Sequence, residues 1–427
     1  MTISFRKSNN LYNKALNTIP LATQTFSKSS LQWPLGASPM FFEKAKGCKI
    51  VDVDGNTYID YLLSLLPIIL GYQDKDVDIA VKEQMKKGVV FSMSHPIEIE
   101  LAEKIKSIIP YAEMVRFGKN GSDVLSAAVR LARAYTKKDI VLVSGYHGWH
   151  DWYIGSTSRN MGVPKEVSRL TKTFKYNDIN DLVKKIKKFK NKICAIIVEP
   201  DGIIIPEKHY LKELKSLCQK SGILLIFDEI VCGFRTHIGG ASKKFGIMPD
   251  LGCFGKSMAN GYPISAIVGR KKIMRNIEEI FVSGTFAGET LSMAAALATI
   301  KKLEILNVPQ KLEELGSKLI KQTNDIILRL NLQKYIEMEG NNWWPRFTFK
   351  NQSNITLHLF RQELIKSGLF IGSSYNLCLK HNNKQIFNST ISRMKKSLEK
   401  VKYFLETKEP EKFLEGKKLK GVFNVRK

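Results

Sequence analysis

The chain has 427 residues, 44% hydrophobic and 25% charged, a composition that excludes a disordered or fibrous protein and allows two or three domains with a large core. Its formal charge is +27, from 67 Lys and Arg against 40 Asp and Glu. A nucleic-acid binder would carry such an excess, but only 14 of the basic residues are Arg, the lysines are spread along the chain, and no zinc finger, K-homology clamp or RNP aromatic pattern accompanies them.

Met1 to Ser30 has no continuous apolar core or cleavage pattern, so no secretory leader is expected there. Val51 to Asp60 alternates about Asp54-Gly55 and predicts a hairpin with a two-residue turn. The most apolar window, Tyr61 to Tyr72, contains Pro67 and is too short to span a bilayer. Ile97 to Ile109 has helical spacing and stops at Pro110. Strand and helix then alternate. Strands are predicted at Met114–Phe117, Ile140–Val143, Ala195–Val198, Ile223–Phe227, Leu251–Phe254 and Ser265–Val268, and helices at Ser122–Tyr135, Ile179–Phe189, Tyr210–Lys220 and Thr290–Ile305. The lysine run Lys184 to Lys192 falls at helical spacing and reads as a solvated face. Six cysteines (Cys48, Cys194, Cys218, Cys232, Cys253, Cys378) form no C-x-x-C pair, which suggests neither a zinc knuckle nor a disulfide framework and fits a reducing cytoplasm.

Apolar strands alternating with helices imply a parallel sheet covered on both faces, with chemistry in the loops that follow the strands. The residues after about 306 predict a second, smaller α+β domain. The expected division is 1–75, an N-terminal segment contributing to the small domain; 76–305, the large domain; and 306–427, the C-terminal small domain.

Those loops carry a constellation. Gly118 to Asp123 opens a helix, where backbone amides and the Ser122 hydroxyl suit a phosphate; an ordinary N-cap at Ser122 or Asp123 is the plainer reading. Tyr146-His147-Gly148-Trp149-His150 places aromatics where a flat ring would stack. A metal at His147 and His150 lacks an evident third ligand. Glu199 and Asp228 end strands, and Lys256 follows Asp228 by 28 positions (256 − 228). Thr285 lies in a Gly-flanked loop. One lysine with one buried carboxylate is what pyridoxal 5'-phosphate (PLP) requires: an amine for a Schiff base with the aldehyde and an acid facing the ring nitrogen. A nucleotide-binding P-loop is the rival, from Phe227-Asp228-Glu229 and Gly255-Lys256-Ser257, but Asp250 stands where that motif needs its first glycine, and the order is reversed.

The chain resembles the class III PLP-dependent aminotransferases, in particular the glutamate-1-semialdehyde 2,1-aminomutase-like branch. The segments that carry the resemblance are VDVDGNTYIDY, NGSDVLSAAVRLARAYT, GYHGWHDW, IIVEP, LLIFDEIVCGFR, PDLGCFGKSMANGYPISAIVGR and SGTFAGETLSMAAALA. The resemblance implies fold type I: a large domain with a mostly parallel sheet of the seven-stranded type and a smaller α+β domain. It implies Lys256 as the Schiff-base lysine, Asp228 as the pyridine-nitrogen partner, Tyr146 stacked on the ring with His147 beside it, Gly121 and Ser122 as the phosphate cradle, Glu199 as an acid near the ring, and Thr285 as a phosphate ligand given to the other subunit of a homodimer. The implied activity is amino transfer between a small-molecule amine donor and a carbonyl acceptor in the cytoplasm, with no nucleic acid or membrane partner and no metal. The alternatives are the intramolecular aminomutase of tetrapyrrole precursor synthesis and, more remotely, a basic nucleic-acid-binding protein. Three departures stand out. Gly121-Ser122-Asp123 replaces the usual Gly-Thr-Glu. Glu289-Thr290 replaces a frequent Asn-Pro. Ser29 to Pro34 has no Arg where the aminomutases grip the substrate carboxylate.

Overall fold

The structure, a computed structural model, describes residues 3–351 and 353–419. Chain packing separates two compact units. Over the described residues, one takes the chain up to Asp74 and again from Lys311, and the other takes Lys75–Gln310. The strands in chain order are β1 (Phe42–Lys46), β2 (Lys49–Asp52), β3 (Thr57–Asp60), β4 (Met114–Gly118), β5 (Ile140–Ser144), β6 (Thr171–Thr173), β7 (Ile193–Val198), β8 (Leu224–Glu229), β9 (Leu251–Phe254), β10 (Ser265–Gly269), β11 (Ile336–Asn341), β12 (Trp344–Phe349) and β13 (Leu369–Phe370).

The first unit holds a four-stranded sheet, β1-β2-β3-β13, and the β11–β12 hairpin. The predicted hairpin is present as β2 and β3, but its loop is longer than two residues. Asp52 ends the strand and its carboxylate gathers the Asp54 and Asn56 amides (3.0 and 2.8 Å) and the Tyr58 hydroxyl (2.7 Å), while Gly55 takes φ +89°. An aspartate able to bind its own downstream amides makes the wider turn stable. Trp33 stacks on Phe370 at 4.4 Å in this unit's core, and the buried Arg361 guanidinium lies 5.0 Å from the Trp33 ring centre.

The second unit is built on a seven-stranded sheet of order β4-β10-β9-β8-β7-β5-β6. Side chains alternate between two cores. Val141, Val143, Ala195, Ile197 and Ile226 pack on the face covered by the helix Gly121–Thr136, and Ile140, Leu142, Ile196, Leu225 and Phe227 pack on the face with Leu182, Leu211 and Leu214. Strands buried on both faces explain the near-continuous apolar runs. Pairings from β9 to β6 are parallel, whereas β10 runs antiparallel to both β4 and β9. Alternation suggested parallel strands throughout. The connection Gly255–Ile264 is too short for the crossover of about a dozen residues that a parallel pair needs, so β10 turns straight back. The return puts Ser265 and Gly118 in register at the edge where β5, β7, β8 and β9 end.

Candidate active site

The helix Gly121–Thr136 begins at that edge. Its N-cap is Asn120, not Ser122 or Asp123, and the Asp123 carboxylate reaches back to accept from the Asn120 amide at 2.8 Å. With the cap supplied by its neighbours, the Ser122 hydroxyl faces the loop after β5, where it accepts from the Trp149 amide at 3.3 Å. Gly148 takes φ +94°, and a Cβ there would lie 2.4 Å from Ser122 Oγ; a Cβ on Gly121 would lie 3.0–3.1 Å from Ile230. The three loops after β4, β5 and β8 therefore close on one another around a helix N-terminus, a place whose amides and dipole favour an anion.

Asp228, penultimate in β8, is 4% exposed. One carboxylate oxygen accepts from the Ile230 amide at 3.1 Å, and the other lies 2.7 Å from His147 Nδ1. His147 Nε2 is 3.2 Å from the Ser144 carbonyl, an oxygen that only accepts, so Nε2 carries a hydrogen. The ring is thus oriented by two contacts, one to the end of β5 and one to the Asp228 carboxyl. His150, four positions beyond Tyr146, turns elsewhere: its Nδ1 lies 2.7 Å from Ser126 Oγ, so the two histidines serve different partners. Among the described residues, no group of three or more His, Cys, Asp or Glu side chains is arranged to hold a metal ion.

Glu199 follows β7 and is wedged between glycines. A Cβ on Gly145 would lie 3.1 Å from its Cγ, and one on Gly202 would lie 2.6 Å from Oε2. Glu199 Oε1 accepts from the Tyr146 amide at 3.1 Å, and the half-buried Tyr146 ring meets Tyr153 edge-on at 5.7 Å. Glu199 thus fixes the backbone that carries the aromatic ring.

Lys256 is two residues beyond β9, the neighbour of β8, and the register pairs Asp228 with Cys253. Its φ is +25°, a left-handed conformation that a lysine adopts only under constraint from its surroundings. Thr285 is exposed in the loop between the β10 strand and the helix Thr290–Ile305, and follows no strand. That loop is joined to the sheet edge at its far end, where Glu289 pairs with Lys119 at 2.8 Å.

Two features escaped the sequence reading. The His147–Asp228 pair joins residues 81 positions apart, and no local pattern announces it. Glu229, beside Asp228, is fully buried. Its Oε2 accepts from the Ala241 amide at 2.6 Å while Oε1 makes no hydrogen bond, and burial pushes its carboxyl up to about 8. An acid at the end of a wholly apolar run was the available signal.

The donor set matches PLP in kind. Amides and a hydroxyl at a helix N-terminus suit its phosphate, a buried acid suits its ring nitrogen, an aromatic ring suits its face, and an amine at the next strand end suits its aldehyde. The comparisons with known proteins agree. The family model described as aminotransferase class-III matches residues 34–377. The 3-aminobutyryl-CoA aminotransferase of Cloacimonas acidaminovorans is 35% identical over 87% of this chain and 91% of its own length. The glutamate-1-semialdehyde 2,1-aminomutase of Aquifex aeolicus is 35% identical over 81% of this chain and 85% of its own. Among solved structures, the FumI protein of Sphingopyxis sp. MTA144, determined in its PLP internal aldimine form, superposes with a TM-score of 0.89 at 26% identity, covering 95% of this chain and 99% of that one. The glutamate-1-semialdehyde aminomutase of Pseudomonas aeruginosa, at 18% identity and a TM-score of 0.81 over 93% of this chain and 95% of its own, shares the fold.

Proposed function

We propose a reaction on the premise that this chain belongs to the class III aminotransferases, PLP-dependent enzymes of fold type I: it moves an amino group from a small-molecule amine donor to a carbonyl acceptor. The cofactor supplies the electron sink that makes a proton next to nitrogen removable. The chain's own residues do the rest. Gly121, Ser122 and the helix amides behind them hold the phosphate, with Thr285 as a further hydroxyl from the other subunit of a homodimer. Tyr146 covers the ring face, and Glu199 keeps that tyrosine's backbone in place. Asp228, held by His147 and the Ile230 amide, would present its carboxyl to the ring nitrogen. Lys256 would hold the aldehyde, and its amine is the base that would take the substrate proton.

The observation that carries this reading is the buried His147–Asp228 pair on one strand's end with a conformationally constrained lysine just past the end of the next. The test is direct. Purified protein is expected to be yellow, and Lys256→Ala to lose borohydride-trappable cofactor. Equal trapping in the variant removes Lys256 from the role.

The named relatives also favour a second reading, intramolecular amino transfer on glutamate 1-semialdehyde. Against it stands the Ser29–Pro34 stretch, which has no Arg, and whose Trp33 is committed to the core beside Phe370. Losing a bidentate carboxylate partner changes specificity, and an acceptor such as a keto-sugar or another carbonyl compound fits better. Turnover of glutamate 1-semialdehyde without added amine would decide for the aminomutase. The six cysteines, all free and buried, suit a cytoplasmic enzyme.

A further inference from the structure

The Glu289-Thr290 pair does two things at the start of a sixteen-residue helix. Glu289 caps that helix, accepting from the Leu291 amide at 2.6 Å and the Ser292 hydroxyl at 2.6 Å. The same carboxylate holds Lys119 Nζ at 2.8 Å, with side chains only 13% and 18% exposed. Thr290 donates its amide to the Val89 carbonyl at 3.0 Å and its hydroxyl to Gly88 at 2.9 Å, and proline could not give the first of these. Lys119 immediately precedes Asn120, the cap of the phosphate-loop helix, and its own amide points at Asp123 (3.3 Å). One carboxylate therefore joins the loop that carries Thr285 to the loop that carries Gly121 and Ser122.

We propose that Lys119 and Glu289 are positioning residues: their ion pair ties the phosphate loop to the capped start of the helix Thr290–Ile305, so that the cofactor's phosphate meets a preformed loop in its own subunit, while the Thr285 loop held by the same contact serves the other subunit's site. This rests on the PLP reading above. Neither residue touches the reacting atoms; both act through the backbone of Asn120–Ser122. Burial pushes the Glu289 carboxyl up, but the hydrogen bonds from Lys119 and Ser292 and the Lys119 charge outweigh it and hold the carboxyl below the usual range. That lowering favours the ionised carboxyl which the ion pair requires.

Glu289→Gln separates this role from simple attraction between Lys119 and a phosphate. Glutamine keeps the cap acceptor and removes the charge. If Lys119 only attracted phosphate, freeing it from Glu289 would tighten PLP binding. The lock predicts the opposite sign: about tenfold weaker binding, the scale of one charge-assisted hydrogen bond. The measurement is titration of the full-length protein with PLP and, in parallel, with pyridoxal, which lacks the phosphate. Weaker PLP binding with unchanged pyridoxal binding supports the proposal. Unchanged or tighter PLP binding overturns it, and so does an equal loss for both ligands, which marks general loosening. Should Glu289→Gln fail to fold, Glu289→Ser, a good helix cap without the charge, carries the same test, and Lys119→Met serves the double-variant comparison with whichever of the two folds. The double variant is expected to be no weaker than the weaker single one, and additive losses overturn the proposal. Wild-type protein that takes up no PLP would instead sink the underlying reading, an outcome distinct from all of these.

Discussion

His147 and the Ile230 amide hold the Asp228 carboxyl at the sheet edge, where its proposed partner is a ring nitrogen. Asp228→Asn keeps the size and the Ile230 contact but replaces the acid with an amide. The expected result is a kcat lower by about 10²-fold or more, the scale of one preorganised electrostatic contact, with PLP still bound through its phosphate; absorbance of the variant checks the second half. Glu229 makes a different prediction. Burial raises its folded-state carboxyl from 4.5 to about 8. Between those values the native state keeps a proton that the unfolded chain has released, so stability is full below 4.5, falls as pH rises through the window and levels off above about 8. Glu229→Gln removes that slope. Thermal melts across the window should show a flatter dependence in the variant and a higher Tm than wild type at the alkaline end; parallel curves would count against the buried acid. The residue types at this scale were legible in the sequence, since Lys256, Asp228 and Glu199 each end an apolar run. Their partners were not, because hydrogen bonds such as His147–Asp228 are made across strands whose order the chain does not state.

At the scale of elements, the loops after β4 and β5 fit only because Gly148 occupies a left-handed backbone against Ser122. Gly148→Ala adds a methyl 2.4 Å from the Ser122 hydroxyl and strains φ, a cost of about 1–3 kcal/mol. A lower Tm with a larger loss of PLP than of pyridoxal affinity is expected, because Ser122 is the group displaced. The helices and strands of the second unit follow from periodicity and turn chemistry, and the predicted Leu251–Phe254 strand and Thr290–Ile305 helix coincide with those observed. The cap at Asn120 and the reversal at β10 did not follow. Ser, Asp and Asn are all good caps, and only the geometry chooses among them. Strand direction depends on the length and path of a connection, which apolar pattern does not encode.

At the scale of the molecule, the second unit leaves an apolar stretch on its surface. Val89, Val90, Phe91 and Met93 are exposed, Met93 by 84%, and Thr290 ties this stretch to the end of the loop bearing Phe281 and Phe286, exposed by 82% and 60%. Exposed apolar side chains grouped in this way are a common feature of interfaces, and the homodimer proposed above would cover them. Light scattering should give the mass of two chains, and the double substitution Met93→Glu, Phe281→Glu should shift it to one chain and loosen PLP together; a monomeric wild type would refute the shared site. No helix among the described residues is long and apolar enough to cross a membrane. The +27 charge is carried mainly by lysines distributed along the sequence, and it shapes solubility rather than fold.

The amino-acid order alone determined the alternation of elements and pointed to the loops, the amine and the acid proposed for the chemistry, because those depend on short-range periodicity and on which side chain ends an apolar run. Only the tertiary structure decided which residues meet: His147 with Asp228, Glu199 under Tyr146, Lys119 with Glu289. Those pairings arise from strand order and register, and the packing of the whole sheet sets them, with contributions from residues far apart in the chain.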